Sequence, residues 1–434
     1  MTIDRRSSAV FPSDVEAAPC TTPGKPREVT MEPRLKAVPK ISDVRNLIEL
    51  SPGVEDVDPS LGTDGFDSTT ERYRYGFFRD AEFASFITST DRFQALNGWY
   101  LSDAAFLAYA NRPTAAEVVA QITPPLKRLF RTIPSASGGP PREPVVKVIL
   151  RDATLVPGVR GIKDPLQCYV VDNGEVGIVS FRGTLPTSLT NWLTDFEANM
   201  VSWSGGDVRV HQGFSVATDL LLSDNGPDDP GLRSYLAERL RKSGEGRAAP
   251  ALKLWFTGHS LGAAISTLAA YAIGNVQALY TFGSPRVGNL AFAQAFASSD
   301  IPHYRVVHHQ DIVPHVPFAL PLIGYEHVGD LKYLEYEDDG AYPDPEIAPA
   351  AANAPSNANP TSKLYDGLAL EAQLAGEFEN LFRSWFDVCG RIKIGFLAEP
   401  ITPLTDHAPL YYSDLLWNSF VKERARLLGP TSAG

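Results

Sequence analysis

At 434 residues the chain can bury a full core, and its 44% hydrophobic and 21% charged content is that of a globular protein. A formal net charge of -12 argues against nucleic acid as a partner and against general attraction to anionic membranes. Cys20, Cys168 and Cys389 form no C-x-x-C pair, which excludes a cysteine-based metal site or a disulfide framework as the organising feature.

Arg5 and Arg6 are followed by no apolar run; Pro12, Asp14, Glu16 and Pro19 stand where the apolar centre of a leader would lie. No stretch approaches the roughly 18–20 apolar residues of a membrane span, so a soluble, cytoplasmic protein without a transmembrane segment is the expectation. Residues 1–70 are rich in Pro, Ser, Asp, Glu and Thr without sustained periodicity, and read as a largely disordered or loosely docked arm. Residues 71–434 read as one domain. Apolar residues at helical spacing predict a helix from Gly98 to Ala110, and a second from Thr114 that breaks at Pro124-Pro125.

Strand signals follow a Gly- and Pro-rich loop at 135–144. Val145 to Leu150, Cys168 to Val171 and Val176 to Phe181 are β-branched and short, and Asp172-Asn173-Gly174 predicts a hairpin between the last two. Further strands are predicted before Ser260, from Gln277 to Phe282 and from His303 to His308, with helices from Gly213 to Leu222 and Leu232 to Lys242 between them. This alternation predicts an α/β fold with a largely parallel central sheet covered by helices on both faces. The Ala-, Pro- and Asn-rich piece at 338–361 reads as a flexible insertion.

The strand Ala251 to Thr257 runs into Gly258-His259-Ser260-Leu261-Gly262, and the small, apolar run Ala263 to Tyr271 reads as the helix that follows. A strand, G-x-S-x-G and a helix make up the nucleophile elbow of α/β-hydrolases. The turn around Ser260 is so sharp that the residues two places either side must lack bulk, and both are glycine. A serine nucleophile needs an imidazole base and a carboxylate to orient it, in chain order Ser, then Asp or Glu, then His. Asp311 follows the predicted strand 303–308 directly, at the carboxyl end that faces a ligand crevice, and ranks above Asp330, Asp338 and Asp339. His407, in a loop ahead of a C-terminal helix, has the freedom to reach the serine; His327 is the alternative base. Asp406 reads as a helix-entry or solvent residue.

Val179 to Thr184 (VSFRGT), Asn191 to Asp195 (NWLTD), Val210 to Phe214 (VHQGF), Gly258 to Gly262, Thr281 to Asn289 (TFGSPRVGN), Asp311 to Pro317 (DIVPHVP) and Asp406-His407 stand together in one order. In these motifs the chain resembles the class 3, fungal-type triacylglycerol lipases of the α/β-hydrolase fold, from about Gly98 onward. The resemblance implies Ser260 as nucleophile, Asp311 as acid and His407 as base, with an oxyanion hole formed by Thr184 and the Leu261 N–H. It implies a lipid ester substrate, met at a lipid–water interface, and no metal or organic cofactor. The family places a lid after Thr184, where Leu189, Trp192, Leu193, Phe196 and Met200 recur at steps of three and four; this apolar face reads as a mobile cover over the acyl pocket or as a fixed helix packed on the core. Phe318 to Ile323 is then acyl-pocket wall or plain core.

Overall fold

A computed structural model describes residues 33–36, 65–67, 72–90, 92–136, 138–152, 165–184, 199–203, 205–244, 252–309, 311–317, 324–334, 364–366 and 406–428. The strands are β1 (Gly65–Asp67), β2 (Arg72–Arg74), β3 (Val145–Arg151), β4 (Leu166–Asp172), β5 (Val176–Phe181), β6 (Met200–Ser202) and β7 (Arg209–His211). They continue as β8 (Lys253–His259), β9 (Ala278–Phe282), β10 (Gly288–Asn289), β11 (His303–His308), β12 (Tyr325–Glu326), β13 (Asp330–Leu334) and β14 (Leu364–Asp366). The helices are α1 (Ala95–Leu107), α2 (Ala115–Arg131), α3 (Gln212–Leu222), α4 (Leu232–Gly244), α5 (Leu261–Ile273), α6 (Leu290–Ala297) and α7 (Pro409–Leu428).

Among the described residues the main sheet has the order β14-β13-β11-β9-β8-β5-β4-β3. The run from β13 to β5 is parallel throughout, while β14, β4 and β3 join antiparallel at the edges. The Asp172-Asn173-Gly174 hairpin is present: Gly174 takes a positive φ, and Asn173 Oδ1 accepts the N–H groups of Glu175 and Val176. Side chains alternate between two apolar layers. Trp255, Ile178 and Tyr280 join α1, α2 and α7 on one face; Leu254, Phe256 and Val179 join α3, α4, α5 and α6 on the other. Both faces are therefore covered, and the strands are buried along almost their whole length, as a parallel α/β sheet requires.

Two expectations are corrected. The helix from Thr114 does not break at Pro124-Pro125 but runs through both to Arg131. Val118, Ile122, Pro125, Leu126 and Leu129 form one buried stripe across the prolines, and a capping box at Thr114 and Glu117 secures the start. Packing of that stripe outweighs the two missing N–H donors. Met200, read as the end of an amphipathic helix, instead begins β6 and pairs with His211. Leu189, Trp192, Leu193 and Phe196, the 318–323 stretch and the 338–361 insertion lie outside the described residues.

Residues 33–36 are fastened to α7. Trp417 Nε1 donates to the Arg34 carbonyl at 2.8 Å, and Asn418 exchanges two hydrogen bonds with the Lys36 backbone. The Lys36 ammonium lies 3.5 Å from Asp80 and 3.7 Å from Asp414, and over the rings of Tyr75, Trp99 and Trp417. Removing one member of a buried ion cluster strands the others without a counter-charge. Lys36→Ala is therefore expected to destabilise the fold by about 3–5 kcal/mol in urea titration. A loss below about 1 kcal/mol, the worth of an exposed pair, would show that the cluster carries no such load.

Candidate active site

Strand β8 ends at His259 and α5 begins at Leu261, which leaves Ser260 alone to make the turn, at φ 60 and ψ -130. A side chain at positive φ is strained, and such strain persists only where the surroundings enforce it. Here they do. A Cβ on Gly258 would stand 2.3 Å from the Gly262 carbonyl oxygen, and one on Gly262 2.2 Å from that of Phe181. The two glycines let α5 close onto β5 and β8, and the turn follows. Ser260 Oγ is buried and has no hydrogen-bond partner among the described residues. Leu261 is the first helical residue, so its N–H has no acceptor within α5 by position.

Asp311 follows β11 and is fully buried. His407 Nδ1 lies 2.9 and 2.8 Å from its two oxygens, and the Tyr412 hydroxyl and the Val313 N–H donate to the same carboxylate. Burial pushes the Asp311 pKa up, but the His407 charge and these hydrogen bonds outweigh it and hold the group below the ordinary carboxylate value. A carboxylate accepts only, so Nδ1 of His407 carries a proton, and in the neutral ring Nε2 presents a lone pair. Nε2 is buried without a hydrogen-bond partner among the described residues. Gly283 makes room for the pair: at φ +55, a Cβ there would meet Asp311 Oδ2 at 2.7 Å and His407 Nδ1 at 2.9 Å.

The other predicted positions fall as follows. Thr184 lies just past β5, buried, with its hydroxyl unpartnered among the described residues. Gly183 beside it is packed so closely that a Cβ would stand 3.1 Å from that of Ser260. His327 is half-buried, with Arg305, Arg286 and His315 acting on it electrostatically, and its hydrogen bond is to the Pro314 backbone; it is not joined to Asp311. Asp330 begins β13 at an exposed position. Asp338 and Asp339 lie outside the described residues. Asp406 is corrected: it is 2% exposed rather than in solvent, and its carboxylate pairs with His309 at 2.8 Å. Tyr109 was missed by sequence reasoning; its hydroxyl meets His259 Nδ1 at 2.7 Å. A tyrosine at the end of a helix carries no signal that distinguishes it from core. Among the described residues no group of three or more His, Cys, Asp or Glu could hold a metal, and no helix is long and apolar enough to cross a membrane.

Burial keeps five histidines neutral. It lowers His303 to about 3 and His315 to about 4, and holds His259, His308 and His327 below the ordinary value. In the unfolded chain a histidine titrates near pH ~6.5. Below that the unfolded state binds more protons than the native one, so stability falls with pH until the native groups themselves titrate. His303 and His315 alone then remove about 3 kcal/mol per pH unit, roughly 1.4 each. Stability in urea is expected to drop steeply between about pH 6.5 and pH 4.5, by an amount comparable to a whole domain's stability. A constant urea midpoint across that window would contradict the buried, neutral assignment.

Residues 178–320 match the model of the class 3 lipases. The chain is 34% identical over 197 residues to the secreted mono- and diacylglycerol lipase 1 of Fusarium solani, covering 43% of this chain and 53% of that one. It is 32% identical over 172 residues to the lipase of Rhizomucor miehei, covering 38% and 43%. The solved Rhizomucor miehei lipase propeptide complex aligns at 28% identity over 44% of this chain and 57% of that chain, with a TM-score of 0.35. The chain thus spans about half the length of the relatives it matches. The Fusarium relative is named as secreted, and this overturns the cytoplasmic expectation, which rested on the lack of an apolar run after Arg6 and of a stretch long enough to span a membrane. Over residues 178–320, the chain is therefore similar to the class 3 lipases.

Proposed function

We propose that the protein is a carboxylic ester hydrolase that cleaves acylglycerols on a Ser260–His407–Asp311 triad. The observation that carries this reading is the His407–Asp311 pair at 2.8 Å, which leaves Nε2 as a buried lone pair in a chain whose strained serine stands at an elbow. Ser260 Oγ attacks the ester carbonyl while His407 Nε2 takes its proton, and Asp311 stabilises the imidazolium. The Leu261 N–H, with the N–H and hydroxyl of Thr184, receives the oxyanion. His407 returns the proton to the departing alcohol, and water then releases the fatty acid from the acyl-enzyme. The name of the Fusarium relative supports acylglycerols as the substrate class and the extracellular side as the place of action.

The apolar repeat Leu189, Trp192, Leu193 and Phe196 is the reason to propose a lid. Opening such a cover exposes apolar area at roughly 25 cal/mol per Å², which only an aggregated substrate recovers by burying the same face. Activity on a medium-chain triacylglycerol is therefore expected to rise sharply above the solubility limit, and Trp192→Ser to weaken that rise more than turnover of a soluble short-chain ester. Smooth saturation below the limit would point to a plain esterase. Faster turnover of anionic phospholipid than of triacylglycerol on matched interfaces would move the reading to a phospholipase.

A further inference from the structure

The base has no strand of its own. Asp406 and His407 sit in a turn just ahead of α7, and something must hold that turn against the two strand ends that carry Ser260 and Asp311. Three imidazoles meet it. His259 Nε2 lies 2.7 Å from the His407 carbonyl oxygen, His308 Nδ1 lies 3.0 Å from the Asp406 carbonyl oxygen, and His309 Nδ1 pairs with the Asp406 carboxylate at 2.8 Å. A carbonyl oxygen only accepts, so His259 donates through Nε2 and His308 through Nδ1. Nδ1 of His259 then accepts the Tyr109 hydroxyl, which fixes its tautomer.

Each donor is placed by the strand whose neighbour it serves. His259 ends β8 beside Ser260, and His308 ends β11 three residues before Asp311. Both rings are buried, and the His259 ring lies on that of His407 with centroids 4.4 Å apart. Burial disfavours the charged form of both, and a neutral ring donates through one nitrogen only.

Resting on the triad reading, we propose that His259 and His308 are positioning residues. They clamp the successive carbonyls of His407 and Asp406, and so index the base to the nucleophile strand and the acid strand at once. Neither touches the reacting atoms. Their effect is on the placement of the His407 ring, where an error of about 1 Å costs on the order of 10²-fold in rate.

The two histidines donate through different nitrogens, and this gives a test that loss of packing cannot mimic. Glutamine sets its amide nitrogen at about the reach of Nε2, and asparagine at about that of Nδ1. His259→Gln should keep most of kcat on a soluble butyrate ester, while His259→Asn and His259→Leu lose roughly 10–100-fold with KM little changed. At 308 the order reverses: His308→Asn should keep kcat, and His308→Gln and His308→Leu should lose it. Thermal midpoints of all six variants are read alongside, and rates are compared well below the lowest. If a leucine variant fails to fold, the glutamine–asparagine pair at that position decides. Equal rates for Gln and Asn at both positions, or kcat within twofold of wild type in folded leucine variants, would overturn the proposal. Ser260→Ala and His407→Ala are run as controls. If they stay active, the triad reading has failed; if they are inactive while the leucine variants are unimpaired, only the clamp has.

Discussion

Ser260→Ala is expected to abolish ester hydrolysis while leaving the fold intact. Removing the nucleophile from a triad costs on the order of 10⁶ in kcat in the serine protease measured that way, because the remaining groups then have no covalent route to accelerate. Stability should hardly change. Ser260 Oγ has no hydrogen-bond partner among the described residues, so alanine removes no contact, and the positive φ strains both residues alike. Turnover of a soluble ester and the thermal midpoint, measured on the same preparation, give both halves of the expectation. Near wild-type turnover by a folded variant would remove Ser260 from the mechanism.

His407→Ala is expected to be about as severe, and the double variant with Ser260→Ala little worse than either, since nucleophile and base act as a unit. The same change at His327 should cost far less when rates are compared below its unfolding range. His327 feels the charges of Arg305 and Arg286, bonds the Pro314 backbone and shares no hydrogen bond with Asp311. His407 has its Nδ1 on both oxygens of that carboxylate. An inactive His327→Ala beside an active His407→Ala would exchange the two roles. Additive losses in the double variant would instead show that serine and histidine serve separate steps.

Much of this arrangement is written locally. Gly258 and Gly262 are legible because the close approach of α5 to β5 and β8 admits no side chain, and that demand acts on a five-residue span. The central strands are legible because they are short, largely apolar runs, and β4, β5 and β8 are buried along almost their whole length. What failed to show depends on partners far along the chain. Pro124 and Pro125 read as a stop, yet the apolar stripe they interrupt packs into the core and carries the helix through. Asp406 read as a solvent residue because its partners, His308 and His309, lie nearly a hundred positions earlier. The Lys36 anchor was invisible for the same reason, since Asp80, Asp414 and Trp417 surround it only once the chain is folded. Met200 fits a helical spacing equally well as a strand position, and pairing with β7 decides between them.

The chemistry of the site can be read in one covalent event. A fluorophosphonate reacts only with a serine whose proton is being withdrawn, and it leaves a stable adduct that peptide mapping can locate. Incubating the full-length protein with the probe should give one adduct per chain, on Ser260, and both His407→Ala and Asp311→Asn should slow its formation by orders of magnitude. An adduct on another serine, such as the buried Ser284 beside Gly283, or no adduct on an enzyme that still hydrolyses esters, would contradict the assignment.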